Sequence, residues 1–184
     1  MRVTPTPLDG LMVVHPDLRS DSRGAFFEAW HGPRYSDAGL PAEFVQCNVS
    51  RSARGVLRGL HLQHPHGQEK LVTVLRGAIY DVAVDVRLGS PGFARWFGID
   101  LTAENGQQLY IPAGFAHGFL SLADDTIVMY LASAVYEPTA EVVMRWDDPK
   151  LGIAWPIPPR DSSPRDASAP LLDEVGDRLP PFTG

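Results

Sequence analysis

The chain has 184 residues, a formal net charge of −6, and 44% hydrophobic against 21% charged residues, the proportions of a globular domain. That charge excludes a broad nucleic-acid surface, which needs clustered excess cations, and no apolar run is long enough for a membrane helix. The opening MRVTPTPLDG lacks the apolar centre of a signal peptide and the lone Cys47 has no partner for an internal disulfide, so the expected location is the cytoplasm.

In chain order, a short helix is expected over Pro33 to Ala38, ended by Gly39. Leu57 to Gln63 reads as a strand with Leu57, Gly59, His61 and Gln63 on one face and Arg58, Leu60 and Leu62 on the other. An apolar run from Leu71 to Leu75 ends at a turn at Gly77, and Tyr80, Val82, Val84 and Val86 then alternate with Ile79, Asp81, Ala83 and Asp85, the period of a half-buried strand. Phe93, Arg95, Phe97, Ile99 and Leu101 alternate again, and Leu109 to Ile111, Phe115 to Leu122 and Ile127 to Leu131 follow with Gly, Asn, Asp or Pro between them. This rhythm predicts an all-β sandwich or barrel. Pro156 to Pro170 reads as an ordered loop closing over the barrel, and a last short helix is expected over Leu171 to Val175, ended by Gly176. The expectation is one domain over 1–184, with a barrel core over about 45–155 and a closing segment over 156–184.

Arg19, Arg23, Arg34, Arg51, Arg54 and Arg58 crowd the first third of the chain. Forked guanidinium groups suit phosphate oxygens, so this points to a pocket for a small phosphorylated ligand. The stretches RGLHLQ and PAGFAHGF place His61 and His117 on two neighbouring strands. With Gln63 and Tyr130 they would line the barrel interior, more titratable groups than filling requires.

Two reaction classes could use such a pocket. PAGFAH has the spacing of the second motif of cupins, small barrels that often bind a metal, but the first motif here offers His61, then the amide Gln63, with Glu69 and the cation Lys70 near the place of a carboxylate. An amide for an imidazole and a neighbouring ammonium make a poor metal site, and His64 and His66 lie in a turn beside Pro65 and Gly67. No metal and no cofactor is therefore expected. The second class is proton transfer at a carbon beside a ketone, as in a 4-keto sugar, which needs a base, an acid opposite it and a donor for the enolate oxygen. His61, Tyr130 and Lys70 are the right three types. A non-catalytic binder of sugar nucleotides is a third reading.

DSRGAFFE (Asp21 to Glu28), QCNVSRSARGVLRGLHLQHPHGQEKLV (Gln46 to Val72), GAIYDVAVDVRLGSPGF (Gly77 to Phe93), LTAENGQQLYIPAGFAHGF (Leu101 to Phe119) and WDDPKLGIAWP (Trp146 to Pro156) together resemble the dTDP-4-dehydrorhamnose 3,5-epimerase family. The resemblance implies a cupin-type double-stranded β-helix, a jelly roll with short peripheral helices, that works without a metal on a dTDP-4-dehydro-6-deoxyhexose. By that resemblance His61 is the general base, Asp166 orients it, Tyr130 is the proton donor and Lys70 steadies the enolate. It also implies that Arg23, Phe26, Glu28, Gln46, Asn48, Arg58, His117, Tyr136, Glu141 and Arg165 hold the substrate, some of them across the interface of a homodimer. Arg58 and His61 fall on opposite faces by strand parity, so either Gly59 sits in a bulge or Arg58 serves the neighbouring subunit. Leu131 stands where the family often has a lysine; Ala134, Val135, the apolar Val142 to Met144 and the pair Asp124 and Asp125 are further departures. They leave open whether C3, C5 or both centres are inverted, and whether the pathway is that of rhamnose or of a secondary-metabolite sugar.

Overall fold

The computed structural model describes residues 1–40 and 43–183. β1 (Arg2–Pro5) and β2 (Met12–His15) pair antiparallel, β3 (Arg19–Asp21) and β4 (Gly24–Phe26) form a separate hairpin, and α1 (Gly32–Asp37) follows. The chain continues through β5 (Gln46–Ser52), β6 (Leu57–Gln63), β7 (Lys70–Arg76), β8 (Ala78–Asp85), β9 (Trp96–Thr102), β10 (Gln108–Ile111), β11 (Phe115–Ser121), β12 (Thr126–Ala132) and β13 (Glu141–Val143) to the four-residue α2 (Pro164–Ala167). The strands build a six-stranded sheet in the order β1-β2-β10-β7-β12-β5 and a five-stranded sheet in the order β13-β6-β11-β8-β9. Two facing antiparallel sheets with these crossovers are the cupin-type jelly roll that the resemblance implies.

Side chains from both sheets fill the space between them: Val13, Val72, Val74, Leu109 and Val128 from one, Ile79, Ala83, Leu101 and Phe115 from the other. The outer face of the five-stranded sheet is also buried. There Leu60, Leu62, Val82, Val84, Val142 and Met144 lie under Leu151, Leu172, Val175 and Leu179. Each such residue taken out of water contributes roughly 1.5–3 kcal/mol. β8 is therefore buried on both faces and not the half-buried strand its alternation suggests, because later residues roof it. The same roof accounts for the apolar Val142 to Met144. Across the other sheet, Tyr35 of α1 packs with Val14, Leu40, Leu71 and Tyr110, and Leu131 borders this cluster.

The first expected helix appears as α1, with the His31 ring accepting from the Arg34 N–H at 3.3 Å as its cap. The second is a 3₁₀ turn, Leu172–Glu174, and Gly176 does not end it but opens another turn, Gly176–Arg178. Phe93 lies in a turn and Arg95 between that turn and β9, so that alternation starts later than the pattern implied. The segment read as a closing loop runs beside the start of β6, where Leu57 N–H donates to Asp161 O at 2.9 Å and Arg160 N–H to Gly55 O at 2.8 Å. It also carries α2, an element its composition conceals. Prolines mask helix potential, but Pro164 occupies the first helical turn, where no N–H is missed. Among the described residues no helix is long and apolar enough to cross a membrane.

Candidate active site

β6 and β11 are hydrogen-bonded neighbours, and His61 stands directly opposite His117. From there the register slips: β6 runs from His61 to Arg58 while β11 runs only from His117 to Phe119. The extra residue sits at Gly59, whose φ of +127° is open to glycine and closed to most L side chains. A β-carbon there would lie 2.5 Å from the Gly118 Cα and 2.8 Å from the His117 carbonyl oxygen. The two strands thus lock together through paired glycines, and the bulge brings Arg58 round to the side of His61. Of the two explanations for the parity conflict, the bulge is the one present, and Arg58 lines the cavity of its own chain.

That cavity, of about 390 Å³, opens between the sheets. His61, His117 and Phe119 come from the five-stranded sheet, while Gln46, Asn48, Ser50, Lys70 and Tyr130 come from the six-stranded one. The imidazoles and the phenol therefore lie on opposite walls. Tyr136, Glu141, Ser163, Arg165, Asp166 and Gln68 complete the lining.

His61 Nε2 lies 2.8 Å from Asp166 Oδ1, and Asp166 Oδ2 accepts from the Gly59 N–H at 3.2 Å. Ser163 caps α2 by accepting from the Asp166 N–H at 3.1 Å, which fixes the carboxylate over β6. Burial alone would raise the Asp166 carboxyl. The hydrogen bond and charge of His61, with the Gly59 and Ser163 contacts, hold it below the ordinary carboxylate value. With Nε2 engaged, Nδ1 of His61 is the nitrogen left for a ligand. Burial lowers Lys70 to about 8, partly offset by the charges of Glu141 and Asp81. Burial raises Tyr130, helped by Glu141 and opposed by Arg58, so its phenol keeps its proton at neutral pH.

Arg58, at the exposed end of the cavity, donates to Ser52 Oγ at 3.1 Å and to Arg51 O at 3.2 Å. Gln46 donates to Asn48 Oδ1 at 3.0 Å and accepts from the Tyr136 N–H at 2.8 Å. Tyr136 donates its hydroxyl to Glu141 at 2.8 Å, and Arg165 pairs with the same carboxylate. Eleven expected site residues thus converge: Gln46, Asn48, Arg58, His61, Lys70, His117, Tyr130, Tyr136, Glu141, Arg165 and Asp166.

Arg23, Phe26 and Glu28 do not join them. Among the described residues the β3–β4 hairpin pairs with no barrel strand; Arg23 pairs with Asp21, Phe26 is 72% exposed and Glu28 pairs with Arg34. Most of the arginine crowding is surface pairing as well, with Arg51 on Asp125 and Arg54 on the Leu122 carbonyl. Asp124 accepts from the Arg54 N–H, so the acidic pair braces a turn and lines no part of the cavity. Gln63 lines a small pocket of about 70 Å³ with His61, Lys70 and Tyr130, but not the main cavity. Its amide is used up on the backbone, donating to His66 O and Val135 O and accepting from the Glu137 N–H, so it clasps the loop that bears Tyr136. Among the described residues no three His, Cys, Asp or Glu side chains gather as a metal would need. Ser50, Gln68, Phe119 and Ser163 went unread. Only Ser163 had a signal, its S-x-x-D spacing to Asp166.

A jelly roll with an imidazole–carboxylate pair on one wall and a phenol and a buried ammonium on the other has the build of the cupin-type carbohydrate epimerases. Residues 5–174 match the family model described as dTDP-4-dehydrorhamnose 3,5-epimerase, and the chain belongs to this family of isomerases. The protein of that name from Methanothermobacter thermautotrophicus is 46% identical over 156 residues, 85% of this chain and 84% of the relative. A dTDP-4-dehydrorhamnose 3-epimerase of Streptomyces niveus is 40% identical over 179 residues, 96% of this chain and 86% of the relative. The crystal structure of the Legionella pneumophila epimerase in complex with dTDP-4-keto-L-rhamnose superposes with a TM-score of 0.96 at 42% identity, covering 100% of this chain and 99% of that one.

Proposed function

We propose that the chain inverts both C3 and C5 of a dTDP-4-dehydro-6-deoxyhexose, as a dTDP-4-dehydrorhamnose 3,5-epimerase. The observation that carries this is the placement of the His61–Asp166 pair and of Tyr130 on opposite walls of one cavity, with Lys70 buried beside them. The ketone at C4 acidifies the protons on its neighbours. His61 Nδ1 takes one, the C–H electron pair becomes the enolate double bond, and charge moves to the C4 oxygen. Lys70, protonated below about 8, stabilises that oxygen, and the cavity-facing nitrogen of His117 hydrogen-bonds the sugar. Tyr130 then gives its hydroxyl proton to the other face of the carbon, which inverts the centre. Imidazolium and phenolate reset through solvent, and the second centre follows. Asp166 keeps the His61 ring in place and balances the charge it gains.

Arg58 and Arg165 hold the diphosphate, with Gln46, Asn48, Tyr136 and Glu141 on the nucleotide and sugar. Arg23, Phe26 and Glu28 belong to the site only if the exposed hairpin of one copy reaches the cavity of a second, so a homodimer is part of the reading. The edge strand β5, with Val49 63% exposed, and Val45 just before it, 60% exposed, offer the surface for it. Cys47, exposed and without a partner cysteine, suits the reducing cytoplasm. A second reading, inversion at C3 alone, is favoured by the similarity to the Streptomyces 3-epimerase.

Incubation with dTDP-4-dehydro-6-deoxyglucose in deuterium oxide tests the proposal. Label is expected at C3 and C5, and label at C3 alone selects the second reading. His61→Ala is expected to abolish wash-in while dTDP still binds, and Tyr130→Phe to reduce net inversion more than wash-in. No label with any dTDP-4-keto sugar would overturn the assignment.

A further inference from the structure

We propose that Asp81, which lies behind the cavity wall and outside its lining, is a positioning residue of this site: its carboxylate fixes the ring of His117 and supplies the fixed negative charge against which Lys70 works. This deepens the epimerase reading and rests on it.

Asp81 sits mid-strand on β8, wholly buried. It lies on the face of Ile79 and Ala83, which point between the sheets. One strand away on β11, His117 stands opposite Ala83, and Asp81 Oδ1 lies 2.7 Å from His117 Nε2. An amide oxygen could also accept from that N–H, but an amide can turn its NH2 to the ring instead, so it fixes the tautomer less firmly than a carboxylate. What only a carboxylate adds is charge, and here the charge is not otherwise absorbed: Asp81 Oδ2 has no hydrogen-bond partner among the described residues. A buried carboxylate oxygen without a partner is unusual and calls for a reason.

Lys70 is that reason. It is buried at the start of β7, where loss of water disfavours the ammonium, and Glu141 of β13 and Asp81 of β8 are the anions whose fields restore it. The other titratable or charged groups of this cavity are His61, His117, Tyr130, Tyr136, Asp166, Arg58 and Arg165, with Glu69 next to Lys70 in the chain. Glu141 is already shared by Tyr136 and Arg165, whereas among the described residues Asp81 pairs with His117 and with no Lys or Arg. For His117 the consequence is a set tautomer. Nε2 carries the proton held by Asp81, and Nδ1 faces the ligand; when Nδ1 is protonated as well, the same carboxylate balances the imidazolium.

Asp81→Asn keeps the shape and removes the charge. Three readouts go beyond a structural role. The nitrogen-15 resonances of His117 in the wild type are expected to report the Nε2–H tautomer, and in the variant to show a mixture. The Lys70 titration, followed at its Cε carbon, is expected to move to lower pH by roughly half a unit or more, since removing an anion makes the ammonium easier to deprotonate. The alkaline limb of wash-in is expected to shift with it, with kcat falling about 10- to 100-fold and KM little changed. A folded variant with an unmoved Lys70 titration and unchanged His117 resonances would overturn the proposal. So would a wild type that carries its proton on Nδ1, a result independent of whether the variant folds. If the wild type exchanges no deuterium, the epimerase reading fails, while the two resonance measurements still decide the role of Asp81.

Discussion

His61 and His117 are cross-strand neighbours, each with a carboxylate at Nε2, at 2.8 and 2.7 Å, yet the carboxylates come from different layers of the molecule. Asp166 arrives from α2 in the closing segment, has both oxygens hydrogen-bonded and serves a ring that is 27% exposed. Asp81 belongs to the sheet itself, leaves one oxygen without a partner among the described residues and serves a ring only 9% exposed. The difference teaches that an imidazole–carboxylate pair is not a role in itself. A ring with a path to solvent can load and unload protons every turnover. A ring sealed into the sheet is better suited to holding a fixed pattern of charge.

The largest effect that separates the pairs is expected from Asp166→Asn, which leaves the ring of His61 without its anion. Wash-in should fall about 1,000- to 10,000-fold, well beyond the loss for Asp81→Asn, and equal losses measured side by side would erase the distinction. Gly118→Ala tests the lock between the strands that carry both rings. Its β-carbon would meet the Arg58 carbonyl oxygen at 2.8 Å and Leu60 Cδ2 at 3.0 Å, and a urea midpoint should report about 1–3 kcal/mol of lost stability. Ser163→Ala removes the cap of α2 and so loosens Asp166 alone. About 1 kcal/mol of stability should go with a drop in wash-in, while the His117 resonances stay put. The smallest effect is the pH dependence of the Asp166 contribution. Its carboxyl is depressed in the fold, so the stabilisation is present above the ordinary carboxylate value and is lost as pH falls through the folded one. Wild type and Asp166→Asn should differ in urea midpoint at about pH 7 and converge near pH 2.

The central strands were legible because alternation and turn residues mark them whether or not both faces are covered. β1 to β4 were not, since Arg2–Pro5 and Gly24–Phe26 are too short to show a period. Asp81 was readable as a residue but not as a buried one. Its alternation with valines suggests an outward acid, and only the roof of Leu151, Leu172 and Val175 turns the valine face into a second core and the acid face inward. Gln63 was legible in its side only, since strand parity places it beside His61 but does not show that loop carbonyls take up its amide. Asp166 came from the family resemblance alone, because a turn of helix among prolines has no periodicity to read.

The extra residue at Gly59 acts as a gauge as well as a bend. It sets a fixed length along a single strand between an exposed guanidinium and a partly shielded imidazole. If a ligand is anchored by its phosphates at Arg58, only atoms at one set distance along it come level with His61. Discrimination between a sugar diphosphonucleoside and a shorter monophosphate analogue then follows from reach: the shorter molecule can still occupy the cavity, but its acidic carbons stop short of the base.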